Sequence, residues 1–171
     1  MRSQGVEFDL SVAPISGLSG YLRGAYTDAN YVSFANAPCP LERIGNATTQ
    51  RDLSGRQLPG ASKWSLSAGT EYRQSLGSGE ACAGVDANCR SSFYADASAS
   101  DYLRIGGYTL LYARIGFASD KRWEVFALAR NVFDTKYATL LTPQSGNSGL
   151  YSGIPGDPRT VQLTVQYKLG H

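Results

Sequence analysis

The sequence predicts an all-β chain, an antiparallel up-and-down meander of about seven strands. Three observations carry this. Apolar and polar residues alternate with period two in stretch after stretch, while helical periodicity is hard to find. Charged residues are only 18% of the chain, and Gly (19) and Tyr (11) stand out, which suits a sheet with one apolar face. The connections are uneven, short at one end of the meander and long at the other. A length of 171 residues suffices for one domain, or two small ones.

The strands can be justified in order. Val6, Phe8, Leu10 and Val12 alternate with Glu7, Asp9, Ser11 and Ala13. A weaker strand runs from residue 18 to about 31, after the turn Pro14-Ile15-Ser16-Gly17. Trp64, Leu66, Ala68, Thr70 and Tyr72 alternate with Ser65, Ser67, Gly69, Glu71 and Arg73. A fourth strand is expected from residue 90 to about 97, after a cysteine-bearing loop. The fifth, residues 108–117, puts Leu111, Ala113, Ile115 and Phe117 on one side, with Arg114 and Gly116 on the other. The sixth, from 123 to about 133, is apolar on both faces, so its facing stays open. In the last, Val161, Leu163, Val165, Tyr167 and Leu169 alternate with Thr160, Gln162, Thr164, Gln166 and Lys168. Such alternation makes one apolar and one polar face.

Tight turns fall after the first and fifth strands. Long connections fall after the second (residues 32–59), the fourth (98–107, the shortest of them) and the sixth (139–158). Alternation alone fits two architectures. A soluble β-sandwich, a binding module, buries apolar faces against each other. A membrane barrel turns them to lipid and keeps polar faces on a wet lumen. Loop asymmetry favours the barrel. So do the aromatics at the ends of apolar rows: Phe8, Trp64 with Tyr72, Phe117, Trp123 and Tyr167.

Other classes fare poorly. Lys+Arg 16 against Asp+Glu 14 is too balanced for a phosphate-tracking surface, so nucleic acid is not an expected partner. No stretch approaches the ~18–20 apolar residues of a membrane helix. The start, Met1-Arg2-Ser3-Gln4-Gly5-Val6-Glu7, holds no apolar signal core. An enzyme is not expected: there is no Gly-x-Ser-x-Gly elbow, and His171 is the only histidine. Zinc is not expected either, for want of a CxxC pair; no cofactor is assigned. Glu7 and Asp9 could be paired acids, but two carboxylates on a polar face equally suit a water-filled barrel.

Cys82-Ala83-Gly84-Val85-Asp86-Ala87-Asn88-Cys89 reads as a Gly/Asp/Asn turn. A local disulfide between Cys82 and Cys89 is therefore expected, implying an oxidising compartment; Cys39 is then the odd one.

Three stretches resemble a known family. Tyr108-Thr109-Leu110-Leu111-Tyr112-Ala113-Arg114-Ile115-Gly116-Phe117 is similar to a "YTLLNARIGY" strand. Residues 123–137, with Trp123, Val125, Asn131, Val132, Phe133, Asp134 and Tyr137, are similar to "W-x-V-x-L-x-V-x-N-L-F-D-x-x-Y". Pro155-Gly156-Asp157-Pro158-Arg159-Thr160-Val161, followed by Tyr167, is similar to a "P-G-x-P-R-T" ending. In this order they resemble the C-terminus of TonB-dependent outer-membrane receptors. Upstream, residues 52–64, Asp52-Leu53-Ser54-Gly55 to Lys63-Trp64, resemble the family's approach to a strand, "G-x-x-L-P-x-A-P-x-W".

That resemblance implies that residues 1–171 are the C-terminal part of a plugged 22-stranded transmembrane β-barrel in the bacterial outer membrane. It implies an N-terminal plug and the rest of the barrel, both missing here, with Met1 an internal or artificial start. A box ahead of the plug would engage the TonB complex. The cargo would be a ferric siderophore or similar large nutrient, and the lipid bilayer a partner. A truncated fragment without transport activity is the further alternative. The chain departs from the family in two places. Arg51 stands where many relatives carry a cysteine, and Leu169-Gly170-His171 follow Tyr167 where the family ends on an aromatic. Asn131-Val132-Phe133-Asp134 and Pro158-Arg159 are expected to be structural rim elements. Tyr31, Phe34, Tyr102, Tyr137 and Tyr151 could line a cargo vestibule or pack under the loops; ligand-binding residues remain unknown.

Overall fold

The computed structural model describes residues 1–43, 50–119, 122–144 and 149–168. Leu169, Gly170, His171 and part of the turn at 120–121 lie outside the described residues.

Seven strands form one antiparallel sheet in chain order: β1 (Arg2–Ile15), β2 (Leu18–Asn30), β3 (Trp64–Ser75), β4 (Gly79–Arg90), β5 (Tyr108–Ser119), β6 (Trp123–Arg130) and β7 (Thr160–Tyr167). Every strand pairs with its sequence neighbour. The first, third and fifth connections are tight, at residues 16–17, 76–78 and 120–122. The second, fourth and sixth are long, at 31–63, 91–107 and 131–159. All the long connections leave the sheet at one end.

The register sorts the side chains into two faces. Tyr26 pairs with Trp64, Leu22 with Ala68, Thr70 with Val85, Val85 with Ala113, and Ala127 with Leu163. These rows make the apolar face. Ser67 pairs with Asn88, Gly69 with Asp86, Gly84 with Arg114 and Leu128 with Gln162 on the polar face. The open facing of the sixth strand is settled by its neighbours. Trp123, Val125, Ala127 and Ala129 join the apolar face, while Glu124, Phe126, Leu128 and Arg130 join the polar one.

The soluble sandwich is overturned by this arrangement. Among the described residues no second sheet covers the apolar face: Val6, Leu10, Ile115, Val161 and Leu163 are all more than half exposed. The buried cluster lies at the long-loop end, where Tyr31, Ala37, Leu53 and Ala99 pack with Phe34, Leu58 and Tyr94.

Aromatics edge the apolar face. Tyr26 and Trp64 stand at the loop end, with ring centroids 4.8 Å apart. Tyr72, Phe117, Trp123 and Tyr167 stand at the turn end, Phe117 and Trp123 at 5.5 Å. From Trp64 to Tyr72 the strand advances roughly 26 Å at ~3.3 Å per residue. Tilted by ~40°, that is roughly 20 Å along a membrane normal, close to the ~25 Å apolar band of a barrel. No helix in the described residues is long and apolar enough to cross a membrane.

Two expectations are corrected. The fourth strand is not residues 90–97 but Gly79–Arg90, the stretch read as a loop. Ala81, Ala83, Val85, Ala87 and Cys89 do alternate with Glu80, Cys82, Gly84, Asp86 and Asn88, but their small side chains resemble turn composition. The Cys82–Cys89 disulfide falls with that loop. Seven residues along one continuous strand place the Cα atoms roughly 24 Å apart, against the ~7 Å limit for a bridge. The odd spacing also turns the two thiols to opposite faces. Neither forms a disulfide, and Cys89 Sγ lies 2.5 Å from Thr109 Oγ1 on β5.

Facing is directly testable. In a background with the native cysteines replaced by serine, Gln162→Cys in the membrane-inserted protein should react with a water-soluble maleimide, and Leu163→Cys should not. Equal labelling of both would contradict the two-faced assignment. On β3, Ala68→Arg should cost about 2–4 kcal/mol in denaturant unfolding from a bilayer. Its neighbour Ser67→Arg loses one hydrogen bond and should cost about 1 kcal/mol.

Candidate functional site

Two parts of the molecule could act on a solute: the polar face, and the long-loop end where it opens. On the polar face, side chains from five strands form a continuous charged network. Arg114 on β5 sits at its centre. Its Nε donates to Glu71 Oε2 at 2.9 Å, its Nη2 lies 2.8 Å from the same oxygen, and its Nη1 pairs with Asp86 on β4. Glu71 Oε1 takes Arg73 Nε at 2.5 Å, and Arg73 Nη1 reaches Glu80 Oε1 at 3.1 Å. The Tyr21 hydroxyl on β2 donates to Asp86 Oδ1 at 2.8 Å. The Arg23 guanidinium lies 4.9 Å from the Tyr21 ring centroid, and its Nε pairs with Asp9 Oδ2 on β1 at 2.9 Å.

The backbone makes room for this. A Cβ on Gly69 would collide with the Tyr21 ring and with Asp86. Only glycine lets the Tyr21 side chain lie flat across β3 to reach β4. The network is saturated: each carboxylate in it meets a guanidinium. Arg–carboxylate forks fix geometry as well as charge. The arrangement suits a rigid, hydrated wall. Glu7 and Asp9 share this face, and Asp9 is tied to Arg23. Among the described residues no group of three or more His, Cys, Asp or Glu could hold a metal ion.

The long-loop end is a folded layer. In the first long loop, Leu53 is fully buried. The segment Asp52-Leu53-Ser54-Gly55 folds back under the end of β2: Gly55 N–H donates to Tyr31 O at 2.7 Å and Leu53 N–H to Phe34 O at 3.0 Å. Asp52 Oδ1 accepts Ser54 N–H at 2.8 Å. The second long loop joins the first through Gly60 N–H to Tyr94 O at 2.8 Å. Arg90 donates to Gly60 O at 2.8 Å and stacks on Phe93 at 3.9 Å.

The third long loop is fixed at its base. Asn131 is 3% exposed, with φ +48°. Its Nδ2 donates to Thr135 O and Asp157 O, each at 3.0 Å, and its Oδ1 accepts Thr135 N–H at 2.9 Å. Asp134 accepts Arg159 N–H at 3.0 Å and pairs with Lys136 at 2.8 Å. The Lys136 ammonium, then the Arg159 amide, hold the Asp134 carboxyl below its usual range. Tyr137 covers Gly156, where any Cβ would strike its ring, and packs on Tyr108 at 4.6 Å. The Asn131–Asp134 and Pro155–Arg159 stretches are thus one interlocked knot, a structural element at the rim.

The five loop aromatics divide. Tyr31 and Phe34 pack on each other at 4.7 Å beside the buried cluster, and Tyr137 sits in the knot. Tyr102 and Tyr151 stack at 5.5 Å with 18° between planes, and Tyr102 is 66% exposed. It is the ring of the five most open to solvent. Sequence reasoning grouped these five by position; burial separates them.

The fold recurs in solved structures. The ferric yersiniabactin uptake receptor FyuA from Yersinia pestis superposes with a TM-score of 0.72 at 16% identity, covering 96% of this chain and 23% of that one. The siderophore receptor PiuA from Acinetobacter baumannii gives 0.72 at 15% identity, covering 96% and 21%. The ferric citrate transporter FecA gives 0.66 at 20% identity, covering 96% and 24%. At these identities the likeness is one of fold, and the chain spans less than a quarter of the length of each. The family profile described as TonB dependent receptor-like, beta-barrel matches residues 1–132. With that match over most of its length, and a wall, girdles and loop layer to go with it, the chain belongs to the TonB-dependent receptor β-barrel family.

Proposed function

We propose that the chain is the C-terminal part of the wall of an outer-membrane TonB-dependent receptor that takes up a ferric siderophore or a similarly large nutrient. The observation that carries this reading is the wall itself. One sheet presents an uncovered apolar face between aromatic rows, a saturated charged network on its other face, and every long loop at one end. Of the solved structures that share the fold, one is named for ferric yersiniabactin uptake, one for ferric citrate transport and one as a siderophore receptor.

On this reading the remaining strands, up to about 22 in all, close the sheet edges at β1 and β7. The N-terminal plug fills the lumen and carries the box that TonB pulls. The role of residues 1–171 is then passive in energy terms. They supply hydrated wall, shape and three outer loops, with Tyr102 offering an aromatic surface at the mouth. Force and release reside in the plug.

Uptake is the test. Under iron limitation, a strain lacking the gene should lose growth on one ferric siderophore, restored by complementation. Unchanged growth on every iron chelate tested, with loss of a different nutrient, would move the cargo assignment elsewhere. The wall role makes a second demand. Arg114→Met leaves Glu71 and Asp86 facing each other without their shared cation. It should lower unfolding stability by about 1–3 kcal/mol, measured by denaturant titration in detergent. Adding Glu71→Gln and Asp86→Asn to the same variant should recover part of that loss.

A further inference from the structure

The three long loops meet at one carboxylate. Glu42, in the first, uses its oxygens separately. Oε1 accepts the Ser100 hydroxyl of the second loop at 2.7 Å, and Oε2 accepts the Tyr151 hydroxyl of the third. Ser100 is 1% exposed. It caps the short 3-10 turn Asp101–Leu103 by accepting Tyr102 N–H at 3.2 Å, and its Oγ lies 3.5 Å from the Tyr151 hydroxyl. Tyr102, two residues on, stacks against the Tyr151 ring. Burial works against the Glu42 charge, yet the Tyr151 and Ser100 hydroxyls, with Arg43 nearby, hold its carboxyl below the usual range. Burial, and then Glu42, push the Tyr151 phenol up. An ionised acceptor with two hydroxyl donors forms charge-assisted hydrogen bonds, stronger than neutral ones.

The attachments around this node are unequal. The first and second loops also share the apolar cluster of Tyr31, Ala37, Leu53 and Ala99. The third is anchored at its base by the Asn131 knot and lies beside Arg104–Ile105 along Ala138–Pro143. Its second hairpin strand, Tyr151–Pro155, begins with the tyrosine that reaches the node.

We propose that the Glu42–Ser100–Tyr151 node couples the three long loops into one lid, so that displacing any one loop shifts the opening equilibrium of the other two. The inference rests on the reading of these loops as the outer mouth, but not on the identity of the cargo. Coupling of this kind is a free energy shared between sites and is reciprocal.

Hydrogen exchange on the intact, membrane-inserted protein tests it without any ligand. Tyr151→Phe keeps the ring and its stack on Tyr102 and removes only the hydroxyl. It should speed exchange about tenfold at amides of residues 37–43 and 99–105, in the two loops that do not carry the change. Glu42→Gln should do the same for residues 99–105 and 151–155. Faster exchange confined to the loop that carries each substitution, or unchanged exchange in all three, would overturn the coupling. Deprotection spreading into β2–β5 would mean general unfolding, and would overturn it as well. Uptake assays on the same variants keep the two readings apart. Transport of a non-iron nutrient would refute the cargo assignment and leave the exchange result standing.

Discussion

The structure depends on one constraint: a backbone in hydrocarbon must find every hydrogen-bond partner within the protein. In this sheet the neighbouring strands supply them. The consequences are visible along the sheet. The five inner strands are paired on both sides, while β1 and β7 each keep one open edge. An open edge next to an apolar face invites association, and closing a barrel removes it. The uncovered face carrying Val161, Leu163 and Val165 is what a barrel of this family turns toward lipid.

That constraint divides the work between the two faces. Outward side chains need only be apolar and of tolerable size, which is why Ala83 can stand opposite Tyr72. Inward side chains carry the specific geometry. The path from Asp9 through Arg23, Tyr21, Asp86, Arg114, Glu71 and Arg73 to Glu80 crosses β1 to β5, joining strands remote in sequence by side-chain as well as backbone bonds. The tight turns at the opposite end hold little but the reversal of the chain. The loop end holds the buried residues, the knot at Asn131 and the meeting point at Glu42. Cohesion there comes from apolar burial in the Tyr31–Ala37–Leu53–Ala99 cluster together with these side-chain hydrogen bonds.

Much of this was legible in the residues. The alternation at Val6–Val12, Trp64–Tyr72 and Val161–Tyr167 placed three strands and their facing correctly, because bulky apolar residues leave a strong period-two signal. The β4 signal was present but weak. Alanine, valine and cysteine against glycine, aspartate and asparagine look like a turn when each residue is weighed by its own preference. In the sheet they are outward and inward positions of one strand, made stable by β3 and β5 on either side, as context routinely overrides intrinsic β preference. The misplaced disulfide followed from that single misreading. The similarity of the 123–137 and 155–161 stretches to family motifs marked each of them, but not that Asn131 donates to Asp157 across the base of the loop.

The sequence by itself determined the fold class, the two-faced pattern and the family, since side-chain period and turn chemistry are local properties that a linear chain records. Tertiary structure alone decided the facing of β6, the identity of β4, the partners of Arg114 and the convergence of Glu42, Ser100 and Tyr151. Each of those depends on register, and register is set by which strands lie side by side. A carboxylate at position 42 and a phenol at position 151 are 109 residues apart in the chain. Only the closing of three separate hairpins at one end of a sheet brings them into contact.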